Sequence, residues 1–244
     1  MKLDHVAIAV PDHRPVLRDL TGELGALVLS GGTPQGAGFR AMQIRLGRGD
    51  AGMTVEVLEP FQPENNDFLA RFIDATGGGV HHMTFKTDDI AAERQRLRAL
   101  GVEPVGVDFA GGWKEMFIHP RDGHGTVIQI AQSDLAELPM AEWLDGLPET
   151  LVSFDGTPPW WDAASVLDGR SAATLQRVVI ATPDTADGVA FYRDVLGGNV
   201  LGTTITWDGG EILLEAAEGR PRVDRLEVAG HPSIEIGGVL FLGL

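Results

Sequence analysis

Two histidines and two polar strand residues recur at matching places along this chain. His5 lies in the apolar run LDHVAIAVPD and His82 in VHHMTFKTDD; Glu56 of TVEVL follows the first by 51 residues, and Gln129 of VIQIA follows the second by 47. Two imidazoles, a carboxylate and an amide oxygen suit one divalent ion of mixed nitrogen and oxygen preference: Zn, Ni, Co, Mn or Fe. Such a set leaves coordination positions for water or substrate, and the ion then serves as a Lewis acid toward a carbonyl oxygen. The chain has no cysteine. Disulfides, thiolate nucleophiles and Cys-based zinc or iron–sulfur sites are thereby excluded, and His, Glu, Asp and Gln are the ligands left.

These four side chains can converge only if strands carry them to one surface. Neighbours on a strand point to opposite faces, so Glu56 faces away from Val55 and Val57, and Gln129 away from Ile128 and Ile130. If the apolar neighbours meet covering helices, the polar residue faces a concave sheet surface. The same alternation turns His81 away from His82 and removes it from the ligand set.

A repeat supplies the symmetry. The stretch Leu3–Asp12 is a β-branched apolar run, followed by an expected helix over His13–Leu24 and by Gly25 at its C-terminal cap. Val80–Asp89 does the same, leading into an expected helix over Ile90–Leu100 and Gly101, with Ile90, Leu97 and Leu100 on one face. Strand-like runs follow each helix: Phe39–Leu46 and Met53–Leu58 in the first half, Met116–His119 and Gly125–Ala131 in the second. Each half reads as strand, helix, then about three strands. A third copy opens at Leu175, where RVVIATPD parallels HVAIAVPD, and continues through Glu211–Ala216, Val223–Val228 and Val239–Leu242. No helix is visible after Val228, so this copy reads as partial. The expectation is an α+β fold: paired βαβββ modules forming a cupped mixed sheet over residues 1–132, a packed linker at 133–174 carrying Pro158-Pro159-Trp160-Trp161, and a partial, degenerate module at 175–244.

Composition narrows the partners. At 244 residues, with 43% hydrophobic and 22% charged residues, the chain is globular rather than disordered. Nineteen Lys and Arg against 35 Asp and Glu leave a charge of −16, which repels nucleic acid phosphates and anionic lipid. No apolar run approaches the roughly 18–20 residues of a membrane span, and the opening residues lack a signal-peptide pattern. The expected setting is cytoplasmic, with a small-molecule substrate, no nucleic acid, no membrane, and a homodimer left open.

The stretches LDHVAIAVPD, TVEVLEP, GGGVHHMTFKTDDI and FIHPRDGHGTVIQI resemble the vicinal oxygen chelate superfamily, the group of glyoxalase I, methylmalonyl-CoA epimerase, extradiol dioxygenases and bleomycin-resistance proteins. Over residues 3–132 the likeness is nearest to methylmalonyl-CoA epimerase. The resemblance implies a glyoxalase-like cup and one divalent metal ion on His5, Glu56, His82 and Gln129. Two positions depart from the epimerase pattern. The last ligand is there usually a carboxylate that also helps move a proton, and here it is Gln129; a second carboxylate in the loop leading to the third strand is replaced by Gln35 of TPQGAGF. An amide takes no proton at neutral pH. Proton abstraction would then need a substitute such as Glu56, Glu115 or metal-bound hydroxide, and epimerase action on methylmalonyl-CoA itself becomes a weaker expectation.

The implied activity is that of a metal-dependent glyoxalase- or epimerase-like lyase or isomerase, acting on a small carbonyl or thioester substrate through a metal-stabilised enolate. Glu56, the one carboxylate of the ligand set, is the candidate catalytic residue. Gln35, Trp113 and Lys114 are candidate substrate-binding residues, Trp113 as a shield at the cup mouth and Lys114 as an attractor of a substrate anion. Two alternatives remain: a ligand-sequestering protein of the bleomycin-resistance type, and an Fe(II) extradiol dioxygenase, although dioxygenases of this group carry their carboxylate on the last strand, where Gln129 stands. In the third copy Arg177 replaces His5 and Arg225 replaces His82, and a guanidinium has no lone pair for a metal. That copy is expected to be metal-free. His124 is expected to be exposed in a turn, and Gly77-Gly78-Gly79 to be a loop entering a strand.

Overall fold

The computed structural model describes residues 1–47, 52–134, 160 and 173–244. The expected linker therefore lies outside the described residues, apart from 133–134, Trp160 and 173–174. The first repeat forms β1 (Lys2–Ala9), α1 (His13–Gly22), β2 (Leu27–Gly32), β3 (Phe39–Leu46) and β4 (Met53–Pro60). A helix, α2 (Phe68–Thr76), leads to the second repeat: β5 (Gly79–Lys86), α3 (Ile90–Ala99), β6 (Val105–Asp108), β7 (Trp113–Ile118) and β8 (Val127–Ser133).

Three strand-to-helix junctions, those after β1, after β5 and at Asp184, are built the same way. Asp12 accepts a hydrogen bond from the Arg14 amide, Asp89 from that of Ala92, and Asp184 from those of Ala186 and Asp187. A carboxylate at the N-cap satisfies amides that have no partner inside the helix. The repeated Asp at the end of each opening run is thus a repeated helix start.

The eight strands of the two repeats form one sheet in the order β2-β3-β4-β1-β5-β8-β7-β6. β3 and β4 pair antiparallel along their whole length, with Gln43 opposite Glu56. β5 and β8 run parallel, with Thr84 beside Gln129, and β7 returns antiparallel to β8, with Phe117 opposite Gln129 and Glu115 opposite Ala131.

The C-terminal residues form more than one partial copy. A full βαβββ unit comprises β9 (Thr174–Thr182), α4 (Thr185–Ala190, extended by a wider turn over Phe191–Val195), β10 (Asn199–Leu201), β11 (Thr204–Trp207) and β12 (Gly210–Ala216). β13 (Arg222–Ala229), β14 (Ile234–Ile236) and β15 (Val239–Gly243) follow without a helix, as a shortened fourth unit. Together they make a seven-stranded sheet, β10-β11-β12-β9-β13-β15-β14. The architecture is glyoxalase-like, with repeated modules in two mixed sheets.

By their internal contacts the described residues fall into two compact units. In the one made of residues 1–5, 82–134 and 177–225, Phe85 meets Trp207 edge-on at 5.1 Å, and Tyr192 meets the same indole at 6.2 Å. In the other, Ala7, Ala9, Ala41, Leu58 and Leu69 form a fully buried cluster onto which Phe68, Phe72 and Ile73 pack. Those aromatic residues come from α2, which the sequence reading did not separate from its loop. Gly77, in the left-handed region at φ 82°, ends that helix. Gly78 follows at φ 105°, and a Cβ there would stand 2.8 Å from the carbonyl oxygen of Ala9. The glycine triplet is therefore a helix cap and a close backbone passage into β5.

Candidate metal centre

His5 and His82 come from β1 and β5, the opening strands of the two repeats, and both are buried. Their ring centroids are 5.8 Å apart, with the planes inclined by 68°. His5 Nδ1 lies 2.7 Å from Asp4 Oδ2, and Lys86 Nζ lies 2.8 Å from the other oxygen of that carboxylate. Burial alone would raise the Asp4 pKa. The hydrogen bond and charge of His5, together with the Lys86 ammonium, outweigh it and hold the carboxyl well below the usual carboxylate range.

The second nitrogen of His5, Nε2, lies 2.8 Å from Thr84 Oγ1, whose hydroxyl donates to Gln129 Oε1 at 2.5 Å. Gln129 Nε2 donates in turn to Glu115 Oε2 at 2.6 Å, and Trp113 Nε1 donates to the same oxygen at 3.0 Å. The strand registers put these groups on one face, since Thr84 pairs with Gln129 and Gln129 with Phe117, two residues along β7 from Glu115.

Glu56 is half-buried on β4 and accepts from Gln43 Nε2 at 2.8 Å across the β3–β4 pair. One potential ligand atom from each of His5, Glu56 and His82 lies within 4.8 Å of the other two. An ion with bonds of about 2.1 Å needs donors no more than about 4 Å apart, so side-chain shifts of under about 1 Å would close this group on an ion. Two neutral nitrogen donors and one carboxylate are also the right chemistry, and Asp4 on His5 Nδ1 is the kind of outer partner that orients a metal-binding imidazole. The residues present fit a divalent metal.

The other expected site residues have different surroundings. Gln35 is exposed in the turn between β2 and β3. Trp113 is exposed at the start of β7, with the Lys86 ammonium 5.5 Å from its ring. Lys114 is ion-paired with Asp134 at 2.7 Å, and the alternation along β7 gives it the opposite face from Trp113 and Glu115. His81 packs its ring against Phe72 and Phe68 of α2, at 4.9 and 5.6 Å, in the direction opposite to His82.

One expectation fails outright. His124 is buried, not exposed: its Nε2 lies 3.0 Å from Thr182 Oγ1 and its Nδ1 3.5 Å from Asp187 Oδ2. The turn that holds it packs against the start of α4, where Gly188 has no Cβ to block the ring. Sequence alone gave that turn no partner.

A second group of donor type among the described residues, Asp12, His13 and Glu59, is built differently. Glu59 already binds Arg40 at 2.9 Å as well as His13, and a guanidinium at that distance opposes a cation. In the C-terminal sheet, Arg177 of β9 pairs with Glu211 at 2.9 Å, and Arg225 of β13 grips both oxygens of Glu215 at 2.7 and 2.8 Å. Both guanidiniums that replace the histidines are matched by carboxylates. The sequence reading passed over two residues that shape the centre, Asp4 and Thr84. Thr84 had a signal, since it shares the face of His82 by period two; Asp4 had only its adjacency to His5.

Residues 4–118 match the Glyoxalase/Bleomycin resistance protein/Dioxygenase superfamily. The ethylmalonyl-CoA/methylmalonyl-CoA epimerase of Cereibacter sphaeroides is 32% identical over 139 residues, covering 54% of this chain and 97% of that protein. The mitochondrial methylmalonyl-CoA epimerase of Homo sapiens is 29% identical over 139 residues, covering 54% of this chain and 74% of that protein. The chain belongs to the glyoxalase/bleomycin resistance protein/dioxygenase superfamily.

Among solved structures, a variant of Streptomyces coelicolor methylmalonyl-CoA epimerase in complex with 2-nitronate-propionyl-CoA is similar at 25% identity with a TM-score of 0.50, over 57% of this chain and 99% of that one. A hypothetical protein from Staphylococcus aureus shares the fold over 100% of this chain and 99% of its own, with a TM-score of 0.68 at 14% identity. No helix among the described residues is long and apolar enough to cross a membrane.

Proposed function

We propose that this chain is a metal-dependent, epimerase-like isomerase that labilises the hydrogen on the carbon next to the carbonyl of an acyl-CoA thioester or a related small carbonyl compound. The observation that carries the reading is the grouping of one donor atom from each of His5, Glu56 and His82. His5, Glu56, His82 and Gln129 would hold the ion, which when bound supplies a Lewis acid for the substrate carbonyl. The similarity to named epimerases supports the choice of chemistry. The nitronate carried by the Streptomyces relative supports it too, because a nitronate is a planar anion with the shape of an enolate.

The chain's own residues have separate tasks. Glu56, the carboxylate of the group, moves a proton at the substrate carbon. Asp4 holds the ring of His5, and Thr84 holds the amide of Gln129. Trp113 screens the opening, and Gln35 contacts the substrate from the β2–β3 turn.

The test is metal analysis joined to proton exchange. Protein prepared without chelator and supplemented with Co, Ni, Mn, Zn or Fe is expected to hold close to one equivalent; less than a tenth of an equivalent overturns the reading. The loaded protein is expected to exchange the α-hydrogen of methylmalonyl-CoA for deuterium in D2O, followed by NMR, and to stop when stripped of metal. A protein that binds the thioester equally well after stripping and exchanges nothing is a sequestering protein.

A further inference from the structure

A carboxylate ligand needs no rule for which end meets the ion, because its two oxygens are equivalent. Gln129 is different. Its side chain ends in an oxygen with lone pairs and in an NH2 group with none to give. A half-turn about the last side-chain bond would swap the two and point N–H groups at a cation. We propose that Glu115 on β7 is the positioning residue that prevents this: its carboxylate takes an amide N–H of Gln129 and so keeps Oε1 toward the ion, a role that rests on the metal-binding part of the reading above.

The strand registers bring the participants into one row. Thr84 pairs with Gln129 across β5 and β8, and Phe117 pairs with Gln129 across β7 and β8. Glu115, two residues before Phe117, shares its face. In that row Gln129 Nε2 donates to Glu115 Oε2 at 2.6 Å, and Gln129 Oε1 accepts from the Thr84 hydroxyl at 2.5 Å. Thr84 Oγ1 also stands 2.8 Å from His5 Nε2, so the oxygen end of the amide is the end on the histidine side.

Of the two partners, only one discriminates. A hydroxyl donates or accepts, so Thr84 alone would tolerate the amide either way round. An ionised carboxylate only accepts, so the end of Gln129 that faces Glu115 must be the NH2. Trp113 Nε1 donates to the same Oε2 at 3.0 Å and holds that acceptor in place. Gln129 is 8% exposed and Glu115 is half-buried, so water competes poorly for the amide and the charge-assisted bond between them gains strength. Glutamate at position 129 would instead set two carboxylates against each other across this short contact. An amide at 129 and a carboxylate at 115 are therefore complementary, and no proton has to pass between them.

The experiment is the Co2+ affinity of the whole chain, read by competition against a chromophoric chelator, with thermal melts as the control for folding. Glu115→Gln keeps the size of the side chain and a hydrogen bond to Gln129, but it accepts and donates alike, so the amide is no longer held one way round. It is expected to weaken Co2+ binding by about 10–100-fold. In a Gln129→Glu background the same substitution is expected to leave the affinity within about threefold or to raise it, because a carboxylate has no wrong end. A Glu115 that acted only through its charge would cost the same factor in both backgrounds. One that served only the fold would lower the melts without separating the backgrounds.

An unchanged affinity in Glu115→Gln overturns the assignment, as does an equal loss in the two backgrounds. If a variant of this set does not fold, Trp113→Phe decides, since it removes the indole N–H from Glu115 Oε2 without changing any charge. Weakening by about 3–10-fold supports the assignment, and an unchanged affinity overturns it. A parent that takes up less than a tenth of an equivalent of Co2+ sinks the metal reading and the role of Glu115 with it, whereas a parent holding one equivalent and a Glu115→Gln variant of equal affinity sink Glu115 alone.

Discussion

The Asp4 carboxylate stands 2.7 Å from Nδ1 of His5, so Nε2, turned toward Thr84, is the nitrogen that the ring can give to an ion. Removing such an outer partner typically costs 10–100-fold in metal affinity. Asp4→Asn is accordingly expected to weaken Co2+ binding by about that factor while the protein stays folded. A competition titration against a chromophoric chelator reads it, and an unchanged affinity would mean that Asp4 serves only Lys86.

His5→Ala and His82→Ala test the centre directly. Each is expected to abolish stoichiometric Co2+ binding, with circular dichroism and the cooperative melt preserved. If both variants unfold instead, the two imidazoles are core residues. The same experiment on His81→Ala is expected to leave metal binding intact, because that ring lies among Phe68 and Phe72.

Glu59 provides a pH test of the first repeat. Burial pushes its carboxyl upward, and the hydrogen bonds from His13 and Arg40 overcome it, so the folded-state pKa lies below the ordinary 4.5. A depressed carboxyl stabilises the fold above the unfolded value and loses that contribution as pH falls through the folded one. Glu59→Gln is expected to cost about 1–3 kcal/mol at pH 7. The gap between parent and variant, followed by denaturant melts, is expected to shrink below about pH 4.5; a gap that is constant down to pH 3 would refute the assignment.

Gly78→Ala probes the passage into β5. At φ 105°, with a backbone oxygen 2.8 Å from the new Cβ, the alanine is strained both by its conformation and by its neighbour. A loss of about 1–3 kcal/mol is expected, read as a lowered melting temperature.

Much of this fold was visible in the residues, and the reason is mechanical. β1, β3 and β5 are long, carry alternating or continuous apolar patterns, and lead into Asp N-caps or a glycine, so their limits fall within a few residues of those expected. β10 and β14 are three residues each and lack any period to detect, so the C-terminal half looked like a fragment. His5, Glu56 and His82 were legible through the repeat. The links among them were not: Thr84 between His5 and Gln129, and Trp113 with Gln129 on Glu115, depend on cross-strand register, which a single strand's pattern does not encode. The burial of His124 depended on α4, more than sixty residues away along the chain.

Arg177 and Arg225, each locked onto its own glutamate, have an arithmetical consequence. The two positions of the C-terminal sheet that correspond to His5 and His82 hold guanidiniums already paired with glutamates, and neither has a lone pair to give a dication. Saturation with cobalt is expected to level off at one ion per polypeptide, and a plateau at two would mean that a second group of donors binds an ion as well.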